Sequence, residues 1–161
     1  MEFLRHLLLQ IKNNKVWLFV ICSIFVLDRV TKFLTLKFLA AKTSVSLLPF
    51  FSLTYVENTG SAFGLFQNAN WFLLVVSFLV LCLMLMWRKD IFVLGKLAKC
   101  GYYLIFAGAI GNIYDRIVIG YVVDFLDFHF WPVFNVADSS ISIGAVLIAL
   151  SIFKEGKRRD K

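Results

Sequence analysis

Four long apolar runs, separated by shorter polar or aromatic segments, organise the sequence. They extend over about residues 16–36, 71–87, 98–119 and 136–153. With a helical rise of about 1.5 Å per residue, each run is near the length that crosses about 30 Å of hydrocarbon. Helices are favoured there because they satisfy their own backbone hydrogen bonds. The pattern predicts an all-α membrane protein, a single domain over residues 1–161 with four transmembrane helices.

The two longer connections, about residues 37–70 and 120–135, have a different composition. The first contains SLLPFFSLTYVENTGSAFGLF, which is rich in β-branched and aromatic residues and carries a turn signal at Asn58-Thr59-Gly60. This composition favours strands joined by turns. It predicts a small sheet that lies on the membrane surface.

The positive residues are concentrated on one side of the four-helix scheme. Twelve of the 17 Lys and Arg residues precede the first run, lie between the second run and the start of the third, or follow the fourth, with Lys99 at the start of the third run included. Because Lys and Arg near membrane helices stay in the cytoplasm, both termini and the short middle connection are predicted to be cytoplasmic. The net charge of +7 is then explained by membrane orientation, and no nucleic-acid binding is expected.

Three of the predicted helices carry an aspartate at a similar depth. Asp28, Asp115 and Asp138 lie roughly 18, 24 and 22 Å above the cytoplasmic ends of their runs, at about 1.5 Å per residue. A charged side chain inside a membrane is unfavourable and usually marks a functional site. We therefore expect these carboxylates to share a site near the outer membrane surface.

Structural roles remain open for some of these residues. Asp28 and Lys32 are an i, i+4 acid–base pair, for which a structural role is favoured. Asp138 is followed by serine near a helix start, where an aspartate can also cap the helix.

The third run contains three polar residues at helical spacing. Asn112, Asp115 and Arg116 fall at i, i+3 and i+4 of the GAIGNIYDR stretch, which predicts that they share one helix face. A buried pair between Asp115 and Arg116 is as compatible with this pattern as a role in the site.

The stretch VVDFLDFHFWPVFNVADSS adds Asp124 and Asp127 to Asp138. Neither H-E-x-x-H nor paired C-x-x-C spacing occurs, so no metal or cofactor is expected. Two carboxylates in a low-dielectric site do not both ionise easily, so their titrations separate. One can then take a proton from water while the other donates a hydrogen bond to a carbonyl oxygen, as in aspartic peptidases.

Two other functions also use aspartates in a membrane. A proton-coupled transporter or channel subunit needs ionisable groups at several depths, but the cytoplasmic halves of the four runs nearly lack them. A lipid-headgroup transferase would bind a metal through aspartates. Asp124 and Asp127 have D-x-x-D spacing, but the Gly and Arg that usually accompany such a motif are missing.

Five motifs, in order, give a specific resemblance. They are DRVTK from Asp28, NTGSAF from Asn58, GAIGNIYDR from Gly108, VVDF from Val122 and FNVADS from Phe134. Over nearly its whole length the chain resembles bacterial lipoprotein signal peptidase, also called signal peptidase II. Two features depart from the family pattern: Arg29 stands where members usually have Gln, and the segment from Asp124 to Asp138 is short.

The resemblance implies an aspartyl endopeptidase of the bacterial inner membrane, with its site near the outer face. It would cleave prolipoproteins just before a cysteine that carries diacylglycerol. The family fold is a four-helix bundle with a small extracytoplasmic β-cradle and a periplasmic loop. Prolipoproteins, membrane lipids and globomycin-type inhibitors are the implied partners, and the chain is expected to be a monomer.

Carried over by motif position, the implied catalytic pair is Asp124 and Asp138. The implied supporting residues, which hold the pair and the substrate, are Asn58, Asn112, Asp115, Arg116, Asn135, Asp28 and Lys32.

Asp124 and Asp127 are distinguished by the local structure that the stretch adopts. In a strand, alternate side chains point to opposite faces, so only one of the two can face Asp138. In a helix both would lie on one face. The resemblance favours Asp124, and Asp127 is then an exposed loop charge.

Tags fused to the chain test the orientation. Tags at Lys161 and between Lys89 and Lys96 should report a cytoplasmic location, and a tag near Thr43 an external one, because of the distribution of positive charge. The measurement is the activity of a compartment-sensitive reporter at each position. A C-terminus found outside would contradict the four-helix topology.

Overall fold

The computed structural model describes residues 2–42, 44–61 and 65–159, with side chains from Lys15 to Arg158. Ala62 and Phe63 of the second motif, the tag positions Thr43 and Lys161, and the side chains of Arg5, Lys12 and Arg159 lie outside the described residues. The described elements are α1 (Glu2–Leu39), β1 (Ser44–Leu48), β2 (Phe51–Asn58), α2 (Asn70–Met86), α3 (Arg88–Val93), α4 (Lys96–Val118), β3 (Val122–Asp127) and α5 (Val136–Arg159).

Helices cover each of the four apolar runs, with two differences from the pattern. Helix α1 begins at Glu2 rather than near residue 16, because the polar residues before the run contain no Gly or Pro that would stop a helix. The short connection after Trp87 forms the separate helix α3, which has Asp90 in its first turn, where a negative charge is favourable.

The helices differ in their suitability for a membrane. Of the described helices, α5 is long and apolar enough to cross one, over Val136–Arg158, whereas α2 is apolar but has 17 residues. Helices α1 and α4 are longer but carry charged residues: Asp28, Arg29 and Lys32 in α1, and Asp115 and Arg116 in α4. The four membrane crossings therefore stay a prediction.

Helices α4 and α5 pack closely through glycines. A Cβ atom added at Gly144 would lie 2.6 Å from the carbonyl oxygen of Gly101 and 3.0 Å from the backbone nitrogen of Ile105. Small residues at such a contact let two helix backbones approach each other. Further along α4, a Cβ atom at Gly108 would touch the carbonyl oxygen of Ala137, so the C-terminal half of α4 lies against the first turn of α5, which contains Asp138.

The predicted small sheet is present. It has three antiparallel strands in the order β1-β2-β3. Helix α4 ends next to Gly120, whose φ of 85° lets the chain turn directly into β3. The register pairs Asn58 with Val122 and Val56 with Asp124, so the end of β2 lies beside the first half of β3.

The glycine contact can be tested with a matched pair of variants. Gly144→Ala should lower the thermal midpoint, since its Cβ meets backbone atoms and overpacking typically destabilises by about 1–3 kcal/mol. Gly156→Ala lies on the same helix with no atom within 4 Å of its Cβ and should leave the midpoint equal or higher. Melts of both variants in detergent make the measurement, and equal destabilisation would contradict the packing.

Candidate active site

Asp124 is a buried carboxylate held at both oxygens. It lies in β3 and is 1% exposed. Asn58 at the end of β2 donates from Nδ2 to Oδ2 at 2.8 Å, and Asn135 just before α5 donates from Nδ2 to Oδ1 at 2.6 Å. Three separate elements therefore fix the orientation of this carboxylate.

Asp138 lies in the first turn of α5 and faces the same place. Asn112 of α4 donates from Nδ2 to its Oδ1 at 2.7 Å. Its own backbone N–H donates to Oδ1 of Asn135 at 2.9 Å, so the helix is capped by Asn135. The alternative that Asp138 is itself the cap is therefore wrong, because Asp138 is the third residue of the helix.

Two asparagines connect the two aspartates. Asn135 donates to Asp124 and, at 3.3 Å, to Oδ1 of Asn112. Asn112 accepts there and donates through its Nδ2 to Asp138. Asn135 is fully buried and Asn112 nearly so, which means that each amide has few alternative partners. The carboxylates are thus held by a continuous hydrogen-bond chain from β3 to α4 and α5.

Beneath this chain lies a buried ion group, formed by Asp28, Arg29 and Lys32 of α1 with Asp115 of α4. Lys32 Nζ is 3.1 Å from Oδ2 of Asp28 and 2.7 Å from Oδ2 of Asp115. Arg29 pairs with both carboxylates through its two terminal nitrogens. The expected pair of Asp28 and Lys32 is confirmed, and Lys32 also donates to Oδ1 of Asn112 at 3.1 Å.

The alternative that Asp115 pairs with Arg116 is wrong. Consecutive residues of a helix point about 100° apart, so Asp115 faces α1 and pairs with Arg29 and Lys32. Arg116 instead donates to the carbonyl oxygen of Gly60 at 3.3 Å and to that of Asn112 at 3.5 Å. Its positive charge interacts with both Asp124 and Asp138.

Both carboxylates of the ion group also hold backbone next to an aspartate of the pair. Asp28 accepts the N–H of Ala137 at 3.0 Å, one residue before Asp138. Asp115 accepts the N–H of Val123 at 3.5 Å, one residue before Asp124. The ion group is therefore part of the support of the site.

The environment of Asp124 favours its protonated form. Burial, and next the negative charge of Asp138, raise the pKa of Asp124 from its ordinary value to about 7. Hydrogen bonds from Asn58 and Asn135 and the positive charge of Lys32 oppose this increase. A carboxyl that keeps its proton close to neutral pH can donate a hydrogen bond to a substrate oxygen.

A cavity of about 630 Å³ opens at the pair. Its polar lining consists of Asp124, Asp138, Asn58, Asn112 and Arg116 together with the serines Ser61, Ser139 and Ser142. The other lining residues are mainly apolar or aromatic: Val122, Phe128, Phe130, Trp131, Pro132, Val133, Phe134, Ile141 and Ile143. The site can thus hold a long apolar substrate with a polar group at the carboxylates.

Asp127 lies elsewhere. The VVDFLD segment is a strand, so Asp127 points away from the face of Asp124. It accepts hydrogen bonds from the Thr54 hydroxyl and from the N–H of His129, both at 2.8 Å. The interpretation of Asp127 as an exposed loop charge is wrong, since it fixes the turn that follows β3.

The segment between β3 and α5 folds back on itself. Leu126 and Phe134 exchange backbone hydrogen bonds of 2.8 and 3.1 Å, and the rings of Phe128 and Phe134 stack with centroids 5.9 Å apart. His129 adopts a φ of 63° at the tip. The short connection is thus a compact turn along one wall of the cavity.

The fold matches solved membrane enzymes. One bacterial membrane enzyme, solved by the in meso method at 2.3 Å, superposes with a TM-score of 0.80 and 27% identity, covering 89% of this chain and 91% of that one. A second bacterial membrane enzyme, solved at 1.9 Å, superposes with a TM-score of 0.75 and 28% identity, covering 87% of this chain and 94% of that one.

The family model described as signal peptidase (SPase) II matches residues 20–154. The chain belongs to the signal peptidase II family.

Curated relatives agree with this family. A lipoprotein signal peptidase of Thermodesulfovibrio yellowstonii is 45% identical over 141 residues, 82% of this chain and 90% of the relative. A lipoprotein signal peptidase of Aeromonas hydrophila is 39% identical over 158 residues, which is 92% of this chain and 95% of the relative. Membership of signal peptidase II makes the chain a membrane protease that removes signal peptides from prolipoproteins.

Proposed function

We propose that Asp124 and Asp138 are the catalytic pair with which this signal peptidase II cleaves diacylglyceryl-modified prolipoproteins just before the lipidated cysteine. The observation that supports this assignment is the convergence of the two carboxylates on one cavity, joined by Asn112 and Asn135. Asp127 lacks this arrangement, because Thr54 and the turn after β3 hold it.

The pair works with one shared proton. The ionised carboxylate takes a proton from a water molecule while the oxygen of that water attacks the scissile carbonyl carbon. The protonated carboxyl donates a hydrogen bond to the carbonyl oxygen. When the resulting tetrahedral intermediate collapses, the C–N bond breaks and the departing amine receives a proton from the pair. Arg116, whose charge reaches both aspartates, stabilises the negative charge that develops.

The supporting residues have separate tasks. Asn58, Asn112 and Asn135 orient the carboxylates, which reduces the entropy lost when the substrate reaches its reactive geometry. Asp28, Lys32 and Asp115 hold the backbone and amides behind them. No group of three or more His, Cys, Asp or Glu suited to a metal occurs in the described part of the chain, and the mechanism requires none.

The site suits a substrate anchored in the membrane. In the proposed topology of four membrane helices with cytoplasmic termini, the carboxylates lie near the outer face of the bacterial inner membrane. The diacylglycerol chains would stay in the outer leaflet while the signal helix spans the membrane, and the apolar wall of the cavity would contact them. We expect the chain to act as a monomer and to bind globomycin-type inhibitors in this cavity.

Cleavage of a diacylglyceryl-modified lipobox peptide by purified protein tests the function. Asp124→Asn and Asp138→Asn should each fold but lose nearly all turnover, since Asn keeps the shape of Asp but cannot act as a base. Asp127→Asn is the matched control on the same strand and should keep most of its activity. The measurements are turnover and a thermal melt for each variant.

Other outcomes would contradict the assignment. Full activity of Asp124→Asn, or an inactive but folded Asp127→Asn, would show that Asp138 works with a different partner.

EDTA should leave the turnover unchanged. Loss of activity in EDTA with recovery in Mg²⁺ or Zn²⁺ would instead favour the metal-dependent transferase or a metal site that the sequence does not reveal. Absence of cleavage by the wild type under all conditions would contradict the proposed function itself.

A further inference from the structure

Arg29 occupies the centre of the buried ion group and joins two helices. Its guanidinium pairs with Asp28 of its own helix and Asp115 of α4, and donates to the carbonyl oxygen of Gly111 at 3.1 Å. It also lies over the ring of Tyr114, 4.7 Å from the centroid. Within the described residues its Nε is buried without a partner. These contacts fix the side chain in one position.

The two carboxylates that Arg29 joins are those that hold the catalytic backbone. Asp28 accepts the N–H that precedes Asp138, and Asp115 accepts the N–H that precedes Asp124. Arg29 bonds to both, as Lys32 does, so the two cations together set the separation between the carboxylates. A substitution of Arg29 would therefore displace Ala137 and Val123, the residues that directly precede Asp138 and Asp124 in the chain.

Arg29 also balances the charge of the group. Two carboxylates that are at most 1% exposed face two cations, so the group is neutral as a whole. Without Arg29, Lys32 would be the single cation that pairs with both carboxylates, while it also donates to Asn112, which holds Asp138. The group would then carry a net negative charge directly behind the pair.

We propose that Arg29 is a positioning residue for the aspartate pair: it holds the backbone before both aspartates in register and keeps the ion group behind them neutral, which sets the pH range of cleavage. The proposal rests on the proposed function, because it is measured as peptide cleavage. It assigns to Arg29 a role in the reaction without contact to the substrate.

The direction of the pH effect follows from the charges that face Asp124. Lys32 from α1, Arg116 from α4 and Asp138 from α5 act on it directly, while β2 contributes the neutral Asn58. Asp28, Arg29 and Asp115 lie one contact further away, in the ion group to which Lys32 belongs. Removing one positive charge makes the surroundings more negative and raises the pKa of Asp124 further. The pair then keeps its shared proton to higher pH, so both limbs of the pH–rate profile shift to higher pH.

The experiment compares pH profiles of kcat for peptide cleavage in detergent. Arg29→Gln should shift the alkaline limb to higher pH by up to about one pH unit, because loss of a positive charge near a buried carboxyl raises its pKa. It should also lower kcat with little change in KM. Arg29→Lys, which keeps the charge, should keep the limb near that of wild type. Lys37→Gln, an exposed cation on the same helix, is the matched control and should not move it.

A double variant keeps the test decisive. Arg29→Gln with Asp115→Asn restores neutrality, so its limb should return to that of wild type even if the single variant does not fold. A folded Arg29→Gln with an unchanged limb, whatever its kcat, overturns the proposal, as does a double variant whose limb is still shifted. A wild type that does not cleave contradicts the proposed function instead, and the two failures are therefore distinguishable.

Discussion

Burial of charge inside the helix bundle is the constraint on which the structure of the site depends. Asp28 and Asp115 are removed from solvent, and a lone buried carboxylate would be destabilising by several kcal/mol. Arg29 and Lys32 satisfy both, and this requirement brings α1 against α4 at one depth. The same carboxylates accept backbone N–H groups from β3 and α5, so one ion group determines where four elements meet.

The proposed catalytic arrangement is built outward from this group through neutral amides. Asn112 and Asn135 have both donors and acceptors, so each can bond simultaneously to a charged partner and to another amide. Neither Asp124 nor Asp138 forms a direct ion pair with the cations that neutralise Asp28 and Asp115. In the proposed mechanism the pair can therefore keep a shared proton, while the ion group behind it supplies rigidity and a neutral background.

Much of the fold and of the site could be predicted from the sequence, because a charged side chain in an apolar helix is unfavourable unless it meets other polar groups. The similar depths of Asp28, Asp115 and Asp138 pointed to one shared site, and β-branched composition pointed to the small sheet. The partner of Asp115 could not be predicted, because the choice between Arg116 and Arg29 depends on helix rotation and on which helices pack together. For the same reason, the role of Asn135 as the cap of α5 and the contact of Asp127 with Thr54 appear only in three dimensions.

The central claim is that Asp124 and Asp138 act as one pair that shares a proton near neutral pH. The pH dependence of kcat/KM of the wild type, measured with a diacylglyceryl-modified peptide, tests this claim most directly. Because the pKa of Asp124 is raised to about 7, the shared proton is present below that pH and lost above it. The account predicts that kcat/KM falls as the pH rises through about 7. A constant kcat/KM from roughly pH 5 to roughly pH 9 would contradict it.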